Sequence, residues 1–317
     1  MSPKVEQFTI SSEATKEKRN KIKVVMSRDG LIVYDCAIPC TIRYNHNETK
    51  MLLHKEVNFE KYDYFCEVAH LEISNTCNMS CEYCYSGKKE GIELSTSQWM
   101  RILDNIAQAG VFQVSFGGGE PTLREDLFEL AAYVNKLGMN LGMTTNGGIL
   151  YHLSPIMLKK YFKQINVSWH EDSVKMDASL RFLADNGIKA GINYCYSKKM
   201  ARDNDIIKFI AEHYDAEILY LVYKPVIGDW ENQVPNDEVY RVAKEAANEG
   251  LKVAVDGPCV NKCLMKRKFI DVNHLGEVFP CSFVRNPLGN LLNTSLQEIW
   301  SKRGDQDECP FVELKEE

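Results

Sequence analysis

Leu71-Glu72-Ile73-Ser74-Asn75-Thr76-Cys77-Asn78-Met79-Ser80-Cys81-Glu82-Tyr83-Cys84 runs from a short apolar strand directly into three cysteines. Three thiolates spaced this closely can wrap one corner of a cubane [4Fe–4S] cluster, and a loop leaving a strand can curl to point them inward. Three ligands for four irons leave one iron open to a substrate or cofactor, so the pattern describes a reactive centre. Structural zinc is the competing use of Cys77, Cys81 and Cys84. It normally takes four donors in paired Cys-x-x-Cys or Cys/His spacings, and no histidine or fourth cysteine lies suitably near.

Outward from this loop, residues 67–250 alternate between short apolar strands and amphipathic helices. The strand candidates are Leu71–Ser74, Phe112–Phe116, Asn140–Thr144, Ile165–Trp169, Lys189–Cys195 and Glu217–Tyr223. They are short and rich in β-branched or aromatic residues, as strands buried within a parallel sheet tend to be. Between them, Thr96 or Ser97 is expected to cap a helix carrying Trp99, Ile102, Leu103 and Ile106 and ended by Gly110. Glu125–Lys136, Asp203–His213 and Asn236–Asn248 repeat that pattern. Such alternation implies right-handed crossovers and an α/β architecture, a partial (β/α)6 TIM-like barrel of parallel strands. Chemistry in such a sheet gathers at the C-terminal strand ends.

The flanks read differently. Residues 1–66 form a small β-rich region, with antiparallel strands expected at Val24–Met26, Leu31–Tyr34 and Thr41–Tyr44. Residues 251–317 are rich in Cys, Gly, Pro and Asn. They include a hairpin-like stretch through Phe269–Asn273, His274–Glu277 and Val278–Phe283, and form a separate cluster-binding domain.

With an aromatic, Tyr83, before its last cysteine, the CxxxCxxC loop resembles the signature of the radical S-adenosylmethionine superfamily. Companion segments strengthen the resemblance, which covers roughly residues 67–250. Phe116-Gly117-Gly118-Gly119-Glu120-Pro121-Thr122 resembles the GGEP motif, whose glycines allow close backbone approach. The resemblance gives that segment the methionyl amine, with Glu120 as an anchor for the ammonium. Thr144-Thr145-Asn146-Gly147 stands where the family contacts ribose, Ser168 matches a cofactor-binding serine, and Arg181 resembles an arginine that pairs with the cofactor carboxylate. The resemblance implies that a reduced cluster cleaves S-adenosylmethionine to a 5′-deoxyadenosyl radical, which abstracts hydrogen from substrate. It also implies a flavodoxin- or ferredoxin-type reductant.

Cys259, Cys263, Cys281 and Cys309 remain downstream. Gly276-Glu277-Val278-Phe279-Pro280-Cys281 carries a GxxxxC spacing that resembles the auxiliary-cluster domains called SPASM and twitch. Four cysteines suffice to ligate one auxiliary [4Fe–4S] cluster. If Cys259 and Cys263 are not both ligands, that cluster has an open iron. Structural zinc is the alternative. The further cysteines of a full SPASM pattern are absent, which favours the twitch-like form.

Cys195 ends the fifth strand at the same edge as these motifs. A thiol there can return hydrogen to a substrate radical; a small buried core cysteine is the bland alternative. Trp169, His170, Asn193 and Tyr194 are expected near the substrate site.

The chain has 317 residues, 44% hydrophobic and 26% charged, with a net charge of −6. This suits a globular enzyme and invites neither nucleic acid nor an anionic membrane. The basic stretches Lys16 to Lys23 and Lys266 to Lys268 read as solvated faces. No run approaches the ~18 apolar residues of a membrane span, and no secretory signal is expected. A reducing cytoplasm follows, in which eleven cysteines are better explained by cluster ligation than by disulfides. Relatives with auxiliary clusters most often modify peptides or proteins by epimerisation, crosslinking or oxidation, and the N-terminal region can dock a leader peptide at a sheet edge. A sugar or nucleotide metabolite is the alternative substrate, and a non-catalytic electron carrier the alternative class.

Overall fold

Two-residue periodicity along the strands decides the architecture. The computed structural model describes residues 22–36, 40–86, 93–225, 228, 230–257 and 268–303; Cys259, Cys263 and Cys309 lie outside them. The central strands are β4 (Val68–Ser74), β5 (Gln113–Gly118), β6 (Asn140–Thr145), β7 (Gln164–Ser168), β8 (Ala190–Tyr196) and β9 (Glu217–Val222). Every neighbouring pair is parallel. Ala69, Leu71, Val114, Phe116, Leu141, Ile165, Val167, Ile192 and Ile218 are almost completely buried on one face. The other face is polar and half-buried, with His70, Ser115, Thr144, Asn166, Ser168 and Asn193. Parallel register aligns Thr144 with Asn166 and Ser168 with Asn193, so these side chains share a side. One face is thus a core and the other lines the concavity of a partial barrel.

Helices seal the apolar face. In α2 (Thr96–Gln108), the next helix after α1 (His46–Leu53), Trp99, Ile102, Leu103 and Ile106 are at most 1% exposed, each burial worth roughly 1.5–3 kcal/mol. Its cap is Ser95 rather than Thr96 or Ser97: Ser95 and Gln98 form a reciprocal capping box, and Thr96 instead donates to Asp126. α3 (Leu127–Lys136), α6 (Asn204–His213) and α7 (Asn236–Asn248) fall close to expectation. α4 (Pro155–Tyr161) and α5 (Ser173–Asp185) had no clear signal. Exposed Ile156 and Val174 blur their apolar faces.

The sheet extends beyond the expected strands. At one edge β10 (Val253–Val255) adds parallel to β9; at the other β11 (Phe269–Val272) adds parallel to β4. β12 (Glu277–Phe279) and β13 (Gly289–Asn290) continue antiparallel from β11. Strands on both sides of residues 258–267 therefore join the barrel sheet, one at each edge, and α8 (Leu296–Lys302) buries Leu296 and Ile299 in the same core.

The N-terminal region is a three-stranded antiparallel sheet of β1 (Ile22–Ser27), β2 (Gly30–Asp35) and β3 (Cys40–Tyr44), followed by the unforeseen α1 (His46–Leu53). Tyr34 stacks on Phe112 with ring centroids 4.6 Å apart and accepts a hydrogen bond from Asn140 at 2.6 Å. Both partners stand at or just before strand starts, so this sheet docks at the N-terminal end of the barrel, opposite the motif-bearing end. Among the described residues no helix is long and apolar enough to cross a membrane.

Candidate active site

The cysteine loop is seated by backbone contact. Gly118 has φ of +114°, and a Cβ there would strike the Ser74 carbonyl; one at Gly119 would strike the Thr76 carbonyl. Without side chains in the way, Gly119 N–H donates to Ser74 O at 2.7 Å and Glu120 N–H to Thr76 O at 2.8 Å. These glycines bring the GGEP strand end against the root of the loop that carries Cys77.

Glu93 organises the same root. Its carboxylate accepts from Ser74 Oγ at 2.9 Å and from the N–H groups of Asn75 and Thr76 at 2.8 and 2.9 Å. Burial alone would raise the Glu93 pKa, but these hydrogen bonds outweigh it and hold it below the ordinary value. Arg124 braces from behind, donating to Ile73 O at 2.6 Å and Leu94 O at 3.0 Å.

Glu120 is 1% exposed. Its carboxylate accepts from Thr122 N–H and Oγ1 at 3.1 and 2.6 Å, Thr145 Oγ1 at 2.6 Å and Asn146 N–H at 2.7 Å. It ties the ends of β5 and β6 together. Asn146 then passes the tie to the loop: its Nδ2 donates to Asn78 Oδ1 at 2.7 Å and lies 3.9 Å from Cys77 Sγ. Farther round, Cys81 Sγ lies 3.7 Å from His170 Nδ1, and Tyr83 Oη lies 2.7 Å from the same nitrogen. Burial first, then the charge of Lys175, lowers the His170 pKa to about 4, so the ring is neutral at physiological pH.

These contacts test which metal group suits the donors. Three thiolates suit iron, which takes all-sulfur ligation in such clusters, whereas structural zinc normally takes four donors. Cys77 and Cys81 lie over the ends of different strands, β6 and β7, as ligands of separate irons in a cubane would. The donor set fits a cluster.

The inner wall below the loop is a chain of hydrogen bonds. Gln164 donates to Asn166 at 2.9 Å, Asn166 to Asn193 at 2.8 Å and Asn193 to Thr144 at 3.3 Å. Ser168 stands beside Asn193 on this wall. Cys195 lines one cavity with Tyr83, Ser197, Met200 and Tyr223. Burial pushes the Cys195 thiol up to about 12, against the pull of Lys224, so it stays protonated. Tyr194 and Trp169, expected at the substrate site, are instead buried in the core.

Arg181 is not brought to this group. Its side chain is 63% exposed on α5, paired with Asp177 at 2.7 Å and donating to Tyr214 at 3.4 Å. One helical face turns Leu180 and Leu183 inward and leaves Arg181 in solvent. Lys175 on the same helix does reach the loop, with Nζ 3.3 Å from Met79 Sδ. Lys175, Glu93, Arg124 and Asn166 were not singled out from the sequence. The polar alternation Gln164, Asn166, Ser168 was the signal for the last. Of the downstream cysteines, Cys281 is described, half-buried beside β12, with Phe283 N–H donating to its Sγ at 3.4 Å.

Comparison with known proteins agrees with this geometry. A family model described as Radical SAM superfamily matches residues 71–177, and one described as SPASM, an iron–sulfur cluster-binding domain, matches residues 263–313. The chain is 32% identical over 148 residues to Fe-coproporphyrin III synthase of Methanosarcina barkeri, a match covering 41% of this chain and 37% of that protein. It is 24% identical over 296 residues to AdoMet-dependent heme synthase of Oleidesulfovibrio alaskensis, 75% of each chain. To PqqA peptide cyclase of Granulibacter bethesdensis it is 25% identical over 272 residues, 73% of this chain and 72% of that one. In fold it is similar to Streptococcus suis SuiB bound to precursor peptide SuiA, with a TM-score of 0.73 and 16% identity, covering 89% of this chain and 87% of that one. A radical SAM domain carries a [4Fe–4S] cluster and S-adenosylmethionine, and a SPASM domain an auxiliary iron–sulfur cluster. The chain thus carries a radical SAM domain and a SPASM-type iron–sulfur cluster-binding domain, and is a radical SAM enzyme.

Proposed function

We propose that this enzyme modifies a peptide or protein substrate by abstracting hydrogen from it and, through Cys195, returning hydrogen to the resulting carbon radical. One observation carries the reading: a half-buried, protonated thiol lines the same cavity as Tyr83 of the cysteine loop. A thiol, unlike a thiolate, has a hydrogen atom to give. Epimerisation uses that hydrogen directly, whereas crosslinking and oxidation do not need it. The names of the PqqA cyclase and of SuiB with its precursor peptide support a peptide as substrate. So does β3, an edge strand among the described residues, with Cys40, Arg43 and Ile42 largely exposed and able to pair with an extended segment.

In this reading Cys77, Cys81 and Cys84 hold the catalytic cluster, and Cys259, Cys263, Cys281 and Cys309 serve the auxiliary one. The bound cluster and S-adenosylmethionine supply a primary carbon radical. Gly118, Gly119, Glu120, Thr144, Asn146 and Ser168 shape the seat for the cofactor, and Tyr83 closes it toward His170. Lys175 takes the carboxylate end in place of Arg181. The polar wall orients the substrate and the packed loop keeps water away from the reacting atoms. A flavodoxin- or ferredoxin-type protein in a reducing compartment delivers electrons.

A small-molecule reading is favoured by the names of the two porphyrin-related relatives. Anaerobic reduced enzyme with S-adenosylmethionine separates the two. Faster 5′-deoxyadenosine formation with a peptide encoded beside the gene supports peptide modification. Acceleration by iron coproporphyrin but by no such peptide sinks it. With a productive peptide in deuterated water, Cys195→Ala is expected to abolish deuterium incorporation while 5′-deoxyadenosine still forms.

A further inference from the structure

Cys84 and Cys281 lie far apart in sequence, yet the side chains beside them touch. Tyr85, covalently next to Cys84, packs its ring against Phe283, with centroids 5.3 Å apart and planes inclined by 54°. Phe283 in turn donates its N–H to Cys281 Sγ at 3.4 Å. A route of bonded and packed atoms therefore runs from one cysteine to the other.

Two cations flank this contact. Arg285 lies over Tyr85, 5.5 Å from the ring centroid, and Lys224 over Phe283 at 4.4 Å. Each is neutralised by buried acids: Arg285 by Glu72 and by Asp271 at 2.9 Å, Lys224 by Asp256. Asp271 also meets His70 at 2.5 Å and accepts from Ser282 at 3.2 Å. Burying several charges for packing alone is inefficient, because apolar residues of similar volume serve as well or better. Fixed charges beside a cluster, by contrast, help set its potential.

We propose that the Tyr85–Phe283 ring contact is the path by which the catalytic and auxiliary clusters exchange an electron, with Arg285 and Lys224 fixing the rings. The inference rests on the ligand roles given above to Cys84 and Cys281. One electron leaves the reduced cluster and enters the oxidised one, with no proton transferred; the electron originally comes from the external one-electron reductant. Tunnelling through packed atoms is faster than across a gap, so loss of either ring slows the exchange.

The test uses holoenzyme given less than one electron equivalent of dithionite, with both cluster signals followed by freeze-quench electron paramagnetic resonance. Phe283→Leu and Tyr85→Leu are expected to slow equilibration between the signals at least tenfold, with iron content and midpoint potentials unchanged. Phe283→Tyr and Tyr85→Phe, which keep the rings, should equilibrate as wild type does. Wild-type rates in both leucine variants overturn the path, as does equal slowing in the ring-keeping variants. Should a leucine variant lose iron, the ring-keeping pair and Arg285→Lys, which tests the fixing of Tyr85, decide the matter. Cys281→Ala separates the assumptions: if it leaves the second cluster signal intact, the ligand reading fails and the path falls with it.

Discussion

Glu120, read from the sequence as an anchor for the cofactor ammonium, has a task in the fold itself. Its carboxylate is saturated by Thr122, Thr145 and Asn146, so it joins two strand ends whether or not a ligand is bound. Glu120→Gln turns an acceptor into a donor facing other donors. This should destabilise the cluster-free chain by about 1–3 kcal/mol, read from denaturant unfolding. A residue serving only the cofactor would leave that stability unchanged. Lys175 and Arg181 make a second contrast on one helix. Lys175→Met is expected to raise the KM for S-adenosylmethionine severalfold with little effect on protein stability. Arg181→Met should leave that KM at the wild-type value, because its guanidinium already serves exposed Asp177 and Tyr214.

At the scale of elements, the start of α2 and the β4–β11 pair show local and distant information at work. The capping box makes Ser95, not Ser97, the residue whose hydroxyl satisfies the helix start. Ser95→Ala should cost about 1 kcal/mol and Ser97→Ala only a few tenths, compared by thermal or chemical unfolding. Between β4 and β11, burial alone would lower the His70 pKa. The hydrogen bond and charge of Asp271, helped by Glu72, outweigh that and raise it. A raised pKa favours folding fully below about 6.5, the unfolded value, and the gain is lost as pH climbs through the folded value. His70→Gln should therefore destabilise by about 1.5–3 kcal/mol in mild acid. The gap to wild type should narrow as pH rises past neutrality in a thermal-unfolding series. A gap that widens with pH would contradict the ion pair.

For the whole molecule, the two cysteine groups predict separable metal content. Cys77→Ala is expected to remove about half of the iron and all 5′-deoxyadenosine formation, and Cys281→Ala to perturb only the other cluster's spectrum. Chelation of both clusters should leave the barrel folded, since Trp99, Phe116, Leu130 and Ile192 pack in the core on the helix-covered face of the sheet, away from the cysteine loop. The N-terminal sheet, docked at the strand starts, lies opposite the cysteine loop, so a peptide held on β3 must reach across the barrel to enter the cleft.

The parallel barrel, the cysteine loop, the glycine strand end and the position of Cys195 were legible in the chain alone. Each depends on spacing within a few residues or on a period of two or 3.6, and the backbone turns such patterns directly into shape. What only the tertiary structure decided is the set of contacts between distant residues. Arg285 meets Glu72 across 213 positions and His70 meets Asp271 across 201. Strands after residue 250 extend the sheet at both edges. Helical rotation turns Lys175 toward the loop and Arg181 away from it. Spacing carries no record of which buried charge will find which partner, because that is settled only when strands far apart in sequence pair as neighbours in the sheet.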